Sequence, residues 1–170
     1  PLRLVGSEMC IRDRLNGGTD YLVELKHVHQ SPGVIVDISR LTGIKGISLI
    51  DEGLRIGSGV THTEIMSNPM VKEHVPAMID AAHVVGAVQT RNLGTIGGNL
   101  VTCVPSMDSG PTLMALDAQV TILGPNGKRQ SSLQDFFVGP RKTSLNIDEL
   151  LLDIIIPKAV SYTHLRAHET

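Results

Sequence analysis

Two glycine clusters have the most scope for chemistry in this chain: Asn16-Gly17-Gly18-Thr19-Asp20, and Gly94-Thr95-Ile96-Gly97-Gly98-Asn99. Adjacent glycines reach backbone dihedrals closed to other residues and carry no Cβ, so successive N–H groups can converge on an anion such as a pyrophosphate. The same pairs also serve as ordinary tight turns. Spacing does not decide between the two, because neither cluster matches G-x-G-x-x-G after a strand or G-x-x-x-x-G-K-[ST]. Thr19 and Thr95 can give hydroxyls to a phosphate or satisfy their own turns. Asp108 can accept a hydrogen bond from a ligand hydroxyl or cap a helix that starts at Ser109.

The remaining reactive side chains are dispersed. His27 and His29 share one face of an extended segment, and His164 and His168 sit one helical turn apart, but neither pair has a third ligand in view, so no metal site is expected. His62, His74 and His83 are scattered and read as surface or core residues. Cys10 and Cys103 form neither a disulfide framework nor a thiolate set for zinc or an iron–sulfur cluster. Cys103 follows Asn99 by four positions but, as a lone cysteine, reads as a small buried apolar residue. Arg141 and Lys142 read as a solvated charge pair or a contact with a neighbour. No catalytic nucleophile or acid–base dyad stands out.

Short elements alternate around these residues. Gly33 to Ile38 is a β-branched run, and Gly46 to Ile50 with Leu54 to Ile56 reads as a hairpin about Asp51-Glu52-Gly53. Thr61 and Glu64 have capping-box spacing, and apolar residues recur at helical intervals from Met70 to about Val88, which predicts one long helical stretch. A short helix is expected over Ser109 to Leu116, then a strand over Ala118 to Leu123, a Gly124-Pro125-Asn126-Gly127 turn, and a last strand over Leu150 to Ile156 closed by Pro157. The class is α+β. A chain of 170 residues that is 41% hydrophobic and 19% charged suits one compact soluble unit, expected in the cytoplasm. Its net charge of −2, without blocks of like charge, and its two Tyr, two Phe and no Trp argue against nucleic-acid binding, and no apolar run suits a membrane span.

The ends differ from the middle. Residues 1–14 and 160–170 resemble peptides translated from sequencing-library adapters at the ends of metagenomic reading frames, so both are expected to be non-native, with genuine sequence over residues 15–159.

Gly17 to Lys26, Ile56-Gly57-Ser58-Gly59-Val60-Thr61-His62, Arg91 to Asn99, Pro105 to Asp108 and Phe136 to Thr143 form an ordered series of motifs. In order and separation the series resembles the FAD-binding domain or medium subunit of the molybdopterin dehydrogenases, the xanthine dehydrogenase and carbon monoxide dehydrogenase group. The resemblance covers about Leu15 to Pro157. It implies a two-lobed FAD-binding fold of the PCMH, or vanillyl-alcohol-oxidase-like, type. It also implies partner subunits: a large one with molybdopterin, where substrate is hydroxylated, and a small one with 2Fe–2S clusters. Electrons would pass through FAD to NAD or another acceptor.

The resemblance further implies that Leu15, Asn16, Gly17, Gly18, Thr19, Asp20 and Tyr21 wrap the FAD pyrophosphate through backbone N–H groups, and that Thr95, Ile96, Gly97, Gly98 and Asn99 do so from the other side. By position, Asp108 contacts the cofactor, Val85 lies beside it and Leu151 packs near its isoalloxazine ring. Family members have a strand and helix before the first loop and a further domain after the residues matching Pro157. Both are expected to be missing here, leaving the fold incomplete at each end and the first loop without its supporting strand. Two other readings are a flavin-free scaffold of the same fold and a flavin oxidase with covalent cofactor. The second is disfavoured because residues 16–21 contain neither His nor Cys.

Overall fold

A computed structural model describes residues 14–27 and 35–158. His29, Cys10, His164, His168 and both expected non-native segments, Arg14 aside, lie outside those residues. The chain opens with β1 (Arg14–Leu15), which runs parallel to β2 (Val36–Asp37), with α1 (Tyr21–His27) between them. The first glycine loop is entered from this two-residue strand: Arg14 pairs with Val36 and Leu15 with Asp37. This pair of strands with its helix makes the smaller lobe.

The larger lobe is built on a five-stranded antiparallel sheet. Its strands are β3 (Ile47–Leu49), β4 (Gly53–Gly57), β5 (Gln119–Gly124), β6 (Gly127–Ser132) and β9 (Leu150–Pro157), in the order β3-β4-β9-β5-β6. The β3–β4 hairpin forms as its alternation predicts, and β5 and β6 close over the Gly124 to Gly127 turn. Strand β6 escapes the sequence pattern because Gly127-Lys128-Arg129-Gln130-Ser131-Ser132 is polar throughout. It is an edge strand with both faces largely wet, where hydrophobic alternation is not required.

Helices cover one face of the sheet. Thr61 caps α2 (His62–Ser67) with the expected reciprocal box, its side chain accepting from the Glu64 amide while the Glu64 carboxylate accepts from the Thr61 amide at 2.7 Å. The long helix predicted from Met70 to Val88 is instead three pieces: α3 (Pro69–His74), α4 (Ala77–His83) and α5 (Val88–Leu93). Pro76 causes the first break, since a residue before proline is pushed out of the helical region, and Val75 has φ −145° and ψ 60°. Gly86, with φ +47°, makes the second. The apolar spacing was read correctly; it belongs to one core approached by successive short helices.

After α6 (Ile96–Thr102) and α7 (Ser109–Ala115), a turn of helix α8 (Leu133–Phe136) leads into β7 (Phe137–Gly139) and β8 (Lys142–Thr143). Leu54, Ile56, Val120, Ile122, Ile154 and Ile156 of the sheet pack against Ile65, Val71, Met78, Ile96, Leu100, Leu113 and Phe136. At ~1.5–3 kcal/mol for each fully buried aliphatic or aromatic side chain, this single cluster dominates the stability of the lobe. Among the described residues no helix is long and apolar enough to cross a membrane.

Candidate functional site

A cleft runs between the smaller lobe and the helical face of the larger one. The sheet positions its floor through an irregularity in β9: Thr121 faces Asp153 but Ile122 faces Leu151, so Leu152 is an extra, bulged residue. The bulge turns two successive carbonyls toward Ser58, whose amide donates to Leu152 O at 2.9 Å and whose hydroxyl donates to Leu151 O at 2.7 Å. Leu151 is thereby fixed at the cleft wall while its side chain stays in the core. The bulge has no signature in the apolar run Leu150 to Ile156.

Most of the expected site residues meet in this cleft. Leu15, Asn16, Gly17, Gly18, Thr19, Asp20 and Tyr21 line one side, and Thr95, Gly97, Gly98 and Asn99 line the other, with Val85 and Leu151 completing the wall. Ile96 does not reach it; its side chain is wholly buried in the hydrophobic core, as the inward position of an amphipathic helix turn requires. Asp108 does not line it either. It is exposed just ahead of α7 and makes no side-chain cap there, so the capping role weighed for it is absent. Its carboxylate still acts at a distance by favouring a positive charge on His62.

The two glycine loops differ in how their amides are used. In the second loop the Ile96 amide donates to Val60 O and the Gly97 amide to Ser58 O, both at 2.9 Å. The Gly98 amide donates to the Thr95 hydroxyl at 3.1 Å, and the Asn99 amide to Thr95 O at 3.0 Å. These donors are already satisfied within the protein. In the first loop, by contrast, the amides of residues 16–20 have no acceptor among the described residues. Gly18 sits at φ +71°, a left-handed conformation that lets successive N–H groups face one concavity. Unengaged amides are therefore found in the first loop and not at residues 96–99 of the second.

The second loop's glycines act through space. A Cβ on Gly97 would lie 2.5 Å from Ser58 Cβ and 2.6 Å from Ser58 O, so only glycine lets α6 rest on the β4–α2 connection. A Cβ on Gly98 would meet only Thr95 Oγ1, at 3.1 Å, leaving this exposed position a bare face of the cleft. Gly17 is held against the Leu93 carbonyl, which seats the first loop on the end of α5.

Several cleft residues carry no sequence signal as site residues. His62, read as a scattered histidine, is 2% exposed and lines the cleft; burial lowers its pKa, Asp108 opposing and Arg91 reinforcing that shift. Glu149 accepts from Arg129 through both carboxylate oxygens at 2.8 Å and from the Asn146 amide at 2.8 Å. The Arg129 hydrogen bond holds its carboxyl down at about 2. Arg141, read as solvated, pairs with Glu24 of α1 at 2.7 Å and so ties the smaller lobe to the β7–β8 turn. Arg91 donates from one nitrogen to the carbonyls of His83, Val85 and Gly86, which fixes Val85 at the wall. Apart from those of Arg91 and the Asn146 amide on Glu149, none of these partners is near in sequence to the residue it serves at the cleft.

A two-lobed α+β architecture with a cleft between glycine loops defines a class of dinucleotide-binding flavoproteins. The family model described as the FAD binding domain in molybdopterin dehydrogenase matches residues 13–159. The chain belongs to that family. It is 38% identical over 145 residues to the nicotinate dehydrogenase FAD-subunit of Eubacterium barkeri, covering 84% of this chain and 49% of that protein. It is likewise 38% identical over 144 residues to the xanthine dehydrogenase FAD-binding subunit of Escherichia coli O157:H7, covering 84% of this chain and 49% of that protein. Among solved structures, carbon monoxide dehydrogenase from Hydrogenophaga pseudoflava superposes with a TM-score of 0.82 at 29% identity, over 92% of this chain and 57% of that one. The chain spans about half the length of the curated relatives it matches.

Proposed function

We propose that this chain holds FAD in the interlobe cleft as part of a molybdenum-containing hydroxylase, with Leu15 to Tyr21, Val85, Thr95 to Asn99, Asp108 and Leu151 as the cofactor-binding set. The observation that carries the reading is the run of unengaged amides at residues 16–20, which line the same cleft as Gly98. Donors that have no internal acceptor suit an anionic pyrophosphate, which supplies several acceptor oxygens at once. Thr19 adds a hydroxyl from the same loop. Ile96 and Asp108 would act indirectly, Ile96 by anchoring α6 in the core and Asp108 through its charge.

Bound flavin would supply two-electron redox chemistry, accepting electrons from 2Fe–2S clusters on a small partner subunit and passing them to NAD or another acceptor. Substrate would be hydroxylated on a large molybdopterin-bearing subunit. This chain's own residues bind and orient the cofactor, and its apolar wall at Val85 and Leu151 keeps water from the ring. Adding FAD to the purified protein and recording visible absorption after gel filtration tests the reading. Retained flavin bands are the expected result. Their absence, with the fold intact by circular dichroism, favours the flavin-free scaffold instead.

A further inference from the structure

His62 is a buried imidazole, 2% exposed, whose enclosed Nδ1 has no hydrogen-bond partner among the described residues. Leaving such a group unsatisfied is costly, and a fold tolerates it where a ligand completes the bond. Its backbone is fixed between the two loops, the His62 amide donating to Gly94 O at 3.1 Å. Its ring flanks Gly94 together with the first loop: His62 Cδ2 and Thr19 Oγ1 lie 3.6 and 3.5 Å from the point where a Cβ on Gly94 would stand. The ring therefore lines the cleft beside the unengaged amides of residues 16–20.

We propose that His62 belongs to the anion site and hydrogen-bonds a phosphate oxygen of the bound dinucleotide alongside the first-loop amides. This rests on the flavin-dinucleotide reading above. The charged groups that act on the ring are Asp108, which favours its protonated form, and Arg91, which opposes it, with burial the largest influence and lowering its pKa. A phosphate brings negative charge to the ring and favours its protonated form, so affinity strengthens as pH falls. For a single linked proton the gain is at most about tenfold per pH unit, between the titration midpoints of free and bound His62.

The test follows the histidine ring resonances of the full chain by NMR, with His62 identified from the His62→Gln spectrum. Inorganic pyrophosphate, ADP and adenosine are the probes, and FAD affinity is measured from pH 5.5 to 8. Pyrophosphate and ADP are expected to shift the His62 resonances and raise its titration midpoint, and adenosine to do neither. His62→Gln, checked for fold by circular dichroism, is expected to bind FAD several-fold more weakly at low pH with a flat pH profile. If Gly17 and Gly18 amides shift with pyrophosphate while His62 does not, the assignment is overturned and the flavin reading stands. A His62→Gln profile matching the wild type has the same meaning. If none of the phosphate ligands perturbs the protein, both readings fall.

Discussion

Neighbouring glycines at 97 and 98 should respond oppositely to the same substitution. In Gly97→Ala the new methyl would stand 2.5 Å from Ser58 Cβ and 2.6 Å from Ser58 O. Ser58 cannot retreat, since its amide and hydroxyl are both bonded to the bulged part of β9 and its carbonyl receives the Gly97 amide. Overpacking of this kind costs about 1–3 kcal/mol. For a chain of this size that lowers Tm by about 2–12 °C, taking 2–4 °C per kcal/mol. In Gly98→Ala the methyl meets only Thr95 Oγ1, at 3.1 Å, on an exposed helix position. Replacing a helical glycine there gains up to about 1 kcal/mol, less whatever Thr95 loses by yielding.

Binding should reverse the order of consequence. Gly98→Ala places a methyl on the bare wall of the cleft, and a steric penalty of ~1–3 kcal/mol weakens FAD binding by about 5- to 150-fold while stability is held or raised. The assay pairs urea unfolding with FAD titration by fluorescence for both variants. Equal loss of stability in the two, or unchanged FAD affinity in Gly98→Ala, would refute the division of labour drawn from the amide and Cβ geometry.

Other outcomes follow from single contacts. Glu149 has a folded pKa of about 2 against an ordinary 4.5, so its pairing with Arg129 stabilises the fold fully above pH 4.5 and is lost as pH falls toward 2. Glu149→Gln should therefore be less stable than wild type at pH 6, with the gap closing in urea unfolding at pH 3. His62 has a folded pKa below its ordinary 6.5, so stability is lost as pH falls from 6.5 toward that lowered value, and thermal melts of His62→Gln should lack that loss. Thr61→Ala removes one half of the α2 capping box and should cost about 0.5–2 kcal/mol in urea unfolding. Phe136→Ala empties a fully buried site beside Phe137 and should cost about 3–5 kcal/mol, read as a lowered midpoint in urea unfolding.

Local signals in the sequence proved legible where they had local causes. The Thr61 capping box, the β3–β4 hairpin, the Gly124 to Gly127 turn and the α7 helix each depend on residues within four or five positions of one another. The helical stretch after Met70 was legible in its apolar periodicity and misread in its continuity, because Pro76 and Gly86 act on backbone geometry that periodicity does not register. Strand β6 was invisible for the complementary reason: an edge strand needs a partner, not a hydrophobic face.

The glycine clusters by themselves determined that two loops can come close to something, and the ordered motifs around them determined the family. Which loop has amides to offer was decided only by tertiary structure, because an amide's availability depends on whether a distant carbonyl, such as Val60 O or Ser58 O, has already claimed it. The roles of His62, Glu149 and Arg141 were decided there too. Their charge and hydrogen-bonding states are set largely by partners 20 to 117 residues away and by burial that one-dimensional spacing does not encode.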